Sequence, residues 1–533
     1  MKQSGVFMPT AETSNNCLAD QLLTQSGYVQ ETSEGMYAYF PLAGKVLDNM
    51  KQVIRREMES AGILEVNLPY EQFEHATGKS DEMILLSFIA KEVISSNQLP
   101  ISMFHIKQHV RTSVKSTRDL SLLYAKEYSL MSGYSFHTDV IEAKANGTKL
   151  LNVFSSIINK IGIPYRVIEC INDNGNTEYE FIAFSECGKE TIALSTTSSY
   201  AAKAELAEAM LEEELQSKKI KKAEKISGRD KSIEILAKSL QLEKAQTIRA
   251  LLYEFNEKPV LVLLRGDHEL NELKLKKIFG TSEIRLMDSK EVEEILGVGQ
   301  KNIGPVQLPF GLPVYADHGI STVVNGICGA NEKDTFLLNV NPERDFAVDH
   351  YVDIRLVREG EPSPDGNGIL VFRQGVTFAR IIEPEPVFSK INVANKESLE
   401  VLTGYYYMDL TRLFGATAEH YSDALGLKWP IQLAPYDIHL LIEDGEDEIQ
   451  QQLATELHSV MKAYRYGVLY DNRDVSAESK QRTSNQLGVP VQVVVGKDAI
   501  AGTVKVTYRT VGETHVWQKE EVTEKLQEFF RTE

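Results

Sequence analysis

Between residues 44 and 61 the apolar positions Val46, Met50, Val53, Ile54, Met58 and Ala61 recur at steps of three and four, the stripe of an amphipathic helix. Gly62 suits its left-handed cap, and residues 63–68 read as a short strand stopped by Pro69, which has no N–H for the next ladder position. Residues 101–111 and 126–137 read as extended, and the polar stretch around 115–119 lets them return side by side as an antiparallel pair. Residues 200–215 are rich in Ala, Glu and Leu and predict a helix. Lysine then dominates residues 217–231, and this shift in composition marks the predicted domain boundary. Beyond it, residues 233–240 and 245–252 alternate with the strand-like 260–264 in a compact mixed α/β unit, closed by the turn-rich EPSPDGNG at 361–368. The tail alternates: strand 437–442, helix 448–464 with Ile449, Leu453, Leu457 and Met461 on one face, strand 468–470, a further helix, strands 491–495 and 504–508, and a last helix to Phe530. Such alternation predicts a layered sheet with helices packed on it.

The 533 residues exceed what one hydrophobic core organises, so three or four units are expected. Lys and Arg number 57 against 76 Asp and Glu, and the net charge of −19 opposes non-specific binding of polyanions such as DNA by the molecule as a whole, leaving room for a local basic groove. Cys17, Cys170, Cys187 and Cys328 are scattered without a Cys-x-x-Cys pair, so neither a metal site nor a disulfide framework is expected. No apolar signal core follows the first residues and no apolar run reaches membrane-spanning length; a cytoplasmic protein without a membrane partner is expected.

The order of several blocks is more specific. The opening MKQSGVFMPT, GMYAYFPLAGKVL, LPISMFHIKQHVR, YSFHT, RGDHELNELK, CGANEKDTF, NPERDF, SPDGNG, WPIQLAPYDIHL and VLYDNRD together resemble bacterial-type prolyl-tRNA synthetases over nearly the whole chain. The resemblance implies a multidomain α/β protein: a class II antiparallel catalytic sheet with helices, a YbaK-like α/β editing insertion and a C-terminal α/β anticodon-binding domain. The corresponding boundaries are a first core part at 1–216, a linker at 217–232, the insertion at 233–372, a second core part with motif 3 at 373–432 and the anticodon-binding domain at 433–533. It also implies ATP-dependent activation of proline or a similar small amino acid, transfer to tRNA, tRNA(Pro) by family, editing of mischarged tRNA, and a homodimer built on the motif 1 helix and strand. ATP would come with magnesium where ligation is retained.

Residue by residue, the resemblance places Arg111 and Arg412 on the α- and γ-phosphates of ATP, Tyr128 on adenine and Gly404 in the motif 3 glycine path. The family's amino-acid loop, Gly-Pro-Thr-His-Glu-Glu, aligns with residues 87–92, putting Ile89 and Lys91 with Phe136 and His137 in the amino-acid pocket. In the insertion, Lys274 falls on the editing lysine, Gly304 to Pro309 on the pocket loop, and Phe336 where the family has histidine. Asp471 and Arg473 match the anticodon-domain signature. Read without the family, Arg111, Arg412 and Lys274 are solvated charges, Tyr128 is strand packing, His109 and His137 are structural, and the lysines at 218–225 are a solvated linker. Three substitutions stand out: Lys91 is a cation where an anion meets the substrate ammonium, while Tyr407 and Asp409 occupy two glycine positions where bulk and negative charge oppose phosphate. Ser113 also replaces an acidic residue of motif 2. Weak ATP binding is expected. Two other readings stay open: a ligation-inactive paralogue that binds tRNA or regulates, and a deacylase acting through the insertion alone.

Overall fold

The computed structural model describes residues 1–11, 17–68, 81–93, 95–111, 121–171, 177–210, 222–228, 232–280, 283–309, 311–384, 389–392 and 398–532. The chain divides into two units, one formed by Met1–Glu190 with Gln374–Glu533, the other by Thr191–Arg373.

In the first unit a long sheet runs in the order Leu64–Glu65, Ile101–Val110, Glu127–His137, Ser398–Asp409, Leu370–Ile382, Thr177–Phe184 and Tyr165–Ile171. Its pairings are antiparallel except the first. The predicted pairing of the two extended runs is present, with His109 opposite Tyr128. Side chains alternate across a strand, so each strand gives one face to the core and one to the site. Phe104, Met131, Tyr406, Met408 and Phe181 enter one core with residues of the helices Pro41–Ser60, Val140–Ile161 and Leu410–His420. The first helix has the predicted stripe, with Val46, Met50, Val53, Ile54 and Met58 buried, and Pro41 occupies its first turn, where no N–H is required. Tyr406 lies where a side chain at Gly133 would stand, so this strand pair closes only around a glycine.

Two expectations change here. The strand at 63–68 shrinks to Leu64–Glu65, and Pro69 lies outside the described residues. The helix at 200–215 is absent as far as Met210: Ala201–Lys203 is a strand, a turn follows, and Ala207 is buried with Ala193, Val357 and Leu370. Tertiary packing overrides Ala/Glu/Leu propensity there. Residues 211–221 and 229–231 of the predicted boundary lie outside the described residues; the strand Glu224–Ser227 lies between them.

The second unit holds a five-stranded sheet ordered Ile284–Leu286, Ile248–Phe255, Lys258–Arg265, Val314–Asp317 and His350–Val352, and an antiparallel sheet of Glu224–Ser227, Thr335–Val340 and Gly326–Gly329. Within the first unit, the C-terminal sheet runs Val468–Asp471, Ile438–Ile442, Val491–Val495, Thr503–Tyr508 and Glu513–Gln518, the first three strands parallel. On its helix Glu448–Ala463 Leu453, Leu457 and Met461 are buried, whereas Ile449 is exposed. His439 is fully buried in this sheet, 2.8 Å from Gln3 Oε1, and burial lowers it to about 4. The unfolded imidazole titrates near 6.5, so the native state is not disfavoured by this group above that pH and loses stability as pH falls from about 6.5 towards 4. The loss should approach roughly 3 kcal/mol at the bottom of that window. Denaturant melts at pH 7 and 4.5 should show a smaller acid loss for His439→Gln than for the unmodified chain.

Candidate functional site

The open face of the long sheet collects polar residues from three strands and the helix that follows the last of them. Arg111 ends the run after Val110, Tyr128 comes from the neighbouring strand, Asp409 ends the strand Ser398–Asp409, and Arg412 lies in the first turn of the helix it leads into. Arg111 Nη2 donates to Asp409 Oδ2 at 2.6 Å, and Arg412 Nε stands 3.5 Å from the same oxygen. The other carboxylate oxygen accepts the Arg412 N–H at 2.9 Å as the helix N-cap. Asp409 is 2% exposed. Burial raises its carboxyl, while Arg412 and Arg111 pull the other way. Both arginines expected on ATP phosphates therefore already hold a carboxylate of the chain itself.

The neighbouring groups are engaged as well. The Arg111 guanidinium lies 4.2 Å from the centre of the Tyr128 ring, a cation–π contact on the side chain expected to stack on adenine. Arg412 Nη1 donates to the Thr377 carbonyl at 2.6 Å and Nε to Leu123 at 3.1 Å. Tyr134, Tyr405 and Tyr407 form a row with ring centres 5.2 and 5.8 Å apart, and burial pushes Tyr407 up to about 12. Gly404 lies on the opposite side of its strand from these rings, and a side chain there would press on Ser135 Oγ. That glycine makes room for packing in the sheet, which corrects its assignment to the nucleotide. Ser113 lies outside the described residues. Glu178, Glu180 and Cys170 bring possible metal-ligating atoms within 4.8 Å of one another, but Arg380 pairs with both carboxylates at 3.2 and 2.7 Å, so a cation would compete with a guanidinium.

The amino-acid pocket needs a larger correction. Residues 87–92 are the last turns of the helix Asp81–Glu92, not a loop. Ile89 is buried with Leu85, Val93, Phe136 and Val401, while Lys91 is exposed. Phe136 thus packs under this helix. His137, next in the strand, points to the other face, fully buried, and burial lowers it to about 4. Upstream of the aligned stretch, GKSDEM at 78–83 shares the glycine (Gly78) and the first glutamate (Glu82) with Gly-Pro-Thr-His-Glu-Glu and has Ser80 where that pattern has threonine. The sequence signal there is the acidic first turn of a helix, Asp81 and Glu82. Residues 78–80 lie outside the described residues, and Glu82 is in the first turn. Beside it Asp81 holds Lys107 Nζ at 2.9 Å and His105 Nε2 at 3.0 Å; burial raises the Asp81 carboxyl, but the two partners bring it below its ordinary range.

In the insertion Lys274 belongs to the helix Glu272–Phe279 and is 6% exposed, contrary to a solvated reading. Its Nζ donates to the Ala207 carbonyl at 2.6 Å, Asp353 Oδ2 at 2.7 Å and the Arg355 carbonyl at 3.0 Å. An ammonium has three N–H groups, and here each has a protein acceptor. A side chain at Gly304 would collide with the Gly329 carbonyl, and Asn331 bonds both Gly304 N and O, so this loop is tightly closed; Pro309 stands at its end. Phe336 is fully buried with Leu236, Ala237 and Ile327. It is a core residue under the helix Ile233–Ser239, which corrects its place in the editing pocket. Asp471, at a strand end, binds Arg473 through both oxygens at 2.9 and 2.7 Å.

Comparison with known proteins follows the same division. Residues 230–346 match the aminoacyl-tRNA editing domain family and residues 436–529 the anticodon binding domain family. A proline–tRNA ligase of Lysinibacillus sphaericus is 36% identical over 568 residues, covering 100% of both chains, and one of Bacillus velezensis is 33% identical with the same coverage. Among solved structures, a prolyl-tRNA synthetase of Cryptosporidium parvum complexed with halofuginone and AMPPNP superposes with a TM-score of 0.52 at 13% identity, covering 98% of this chain and 79% of that one. That likeness shows the fold. No helix among the described residues is long and apolar enough to cross a membrane.

Proposed function

The chain belongs to the proline–tRNA ligase family, and from that premise we propose that it attaches proline to tRNA(Pro) with ATP, in two steps, with Asp409 holding back the first. Its curated relatives carry that activity over their full length, and the editing and anticodon-binding domains are both in place. The observation that carries the reading is the full-length likeness to proline–tRNA ligases; the carboxylate shared between Arg111 and Arg412 supports the restraint on the first step. A triphosphate needs both guanidinium groups, so it has to displace Asp409 or lie beside a like charge. ATP fits this site poorly while Asp409 bridges the arginines. Magnesium would accompany the triphosphate.

Glu82 meets the proline ammonium, a role that needs only a carboxylate at the mouth of the pocket. Editing belongs to the insertion, where Lys274, its donors all engaged, positions the backbone of Ala207 and Arg355 and does not touch substrate. Asp471 and Arg473 shape the tRNA-contacting end of the anticodon-binding domain. The motif 1 helix Pro41–Ser60 leads to the edge strand Leu64–Glu65, where Leu64 is exposed, which supports a two-fold homodimer. Light scattering at micromolar concentration is expected to give twice the chain mass; a monomer would remove that part of the reading.

Pyrophosphate exchange tests the whole. Slow exchange is expected with proline and with no larger amino acid. No exchange at saturating ATP, either by the unmodified chain or by Asp409→Asn, would favour a second reading supported by the same ion pair: a tRNA-binding paralogue that no longer ligates.

A further inference from the structure

The insertion contains a histidine that the assignment of editing to Lys274 leaves without a role. His268 is 4% exposed, and its Nδ1 lies 3.1 Å from Asp317 Oδ1. Asp317 is 1% exposed, and the same oxygen accepts the Gly319 N–H at 2.9 Å. A buried carboxylate on Nδ1 fixes the ring tautomer with the proton on that nitrogen, leaving the Nε2 lone pair available. Nε2 has Asp267 Oδ2 at 3.9 Å, beyond hydrogen-bond reach. Gly319 lies against the Cε1–Nδ1 edge, where a side chain would collide with the ring. The imidazole is therefore held by one edge and, among the described residues, has no hydrogen-bond partner at the other.

His268 also lines a cavity of about 10 Å³ with Arg265, Arg355, Glu361, Gly319, Met210 and Pro362, room for about one water molecule with several polar partners. Its wall residues are paired: Arg265 is forked onto Asp267 at 2.8 and 3.0 Å and bonds Thr322 at 2.9 Å, and Arg355 pairs with Glu361 at 2.7 Å. Lys274 reaches this cavity only through the Arg355 carbonyl. Of the buried groups here, His268 is the one that has both an orienting carboxylate and an unengaged basic nitrogen.

We propose that His268, oriented by Asp317, is the general base that hydrolyses mischarged aminoacyl-tRNA in this insertion, with Lys274 as a positioning residue. The proposal rests on the editing reading above. Nε2 takes a proton from the water as the water oxygen bonds to the ester carbonyl carbon. When the tetrahedral adduct collapses, the bond to the ribose oxygen breaks and that oxygen receives the proton from Nε2. One ester and one water give a free amino acid and a tRNA with its terminal hydroxyl restored, with no other reactant.

The test is hydrolysis of preformed alanyl-tRNA(Pro) by the full chain and its variants. A positioned base contributes about 100-fold or more, so His268→Ala should lose at least that factor, with added imidazole restoring at least tenfold of it. His268→Asn keeps an N–H for Asp317 and lacks a base; it should fold as the parent does and be as slow as His268→Ala. A full chain that hydrolyses alanyl-tRNA while both variants keep more than a third of its rate overturns the role of His268 and leaves editing standing. A full chain with no rate above the uncatalysed one overturns both.

Discussion

Asp409→Asn is expected to bind ATP roughly 100-fold more tightly than the unmodified chain. The change removes one negative charge from between Arg111 and Arg412 and returns two charge-assisted donors to the phosphates, each worth about 1.5–3 kcal/mol. Part of that is offset because the two guanidinium groups lose their partner in the free protein, so about 3 kcal/mol is a reasonable net gain. Asparagine is the informative substitution. Its carbonyl oxygen still caps the Arg412 N–H, a contact worth about 1 kcal/mol, whereas Asp409→Gly gives up the cap together with the charge. Adding Tyr407→Gly should open the path further if bulk also obstructs it. Calorimetry decides: micromolar ATP binding by the unmodified chain, or no gain in Asp409→Asn, would show that the ion pair yields to nucleotide without cost.

Lys274→Met should be the most damaging single change in the insertion. Methionine keeps the length of the side chain but leaves Asp353 and the carbonyls of Ala207 and Arg355 without their donor. Removing one partner of a buried ion pair costs about 3–5 kcal/mol; Asp353 is 29% exposed, so water recovers part of this and about 2–3 kcal/mol remains. Deacylation should fall with the displacement of Arg355, and Lys274→Arg should recover stability better than activity, because a planar fork cannot place three donors where an ammonium does. Thermal melting of the full chain with a parallel deacylation assay separates these. Wild-type stability with lost activity would instead return Lys274 to direct contact with substrate.

Much of the architecture was legible along the chain because it follows from short-range periodicity. The stripe from Val46 to Ala61 predicted the first long helix, the extended runs at 101–111 and 126–137 predicted an antiparallel pair, and the strand–helix alternation from residue 437 predicted a layered sheet. Block order along the chain carried the family. What failed was local choice between equal options. DEMILLSFIAKE at 81–92 is apolar enough to be buried as helix or to line a pocket as loop, and only its packing on Phe136 and Val401 decides. Lysines at 274, 276 and 277 look alike in sequence, yet only Lys274 is buried, because Ala207 and Arg355 close over that face of the helix. Arg111 and Asp409 are 298 residues apart. The sequence showed a carboxylate in a glycine path, but that it bonds the phosphate arginines depends on strands from two distant segments meeting in one sheet. The same holds for His268 and Asp317, whose pairing is set by a turn at Gly319 rather than by spacing. Residue types and local periodicity thus determined the elements and the family, and tertiary structure decided which charges neutralise one another, since that depends on distances of a few ångströms between segments the chain order keeps apart.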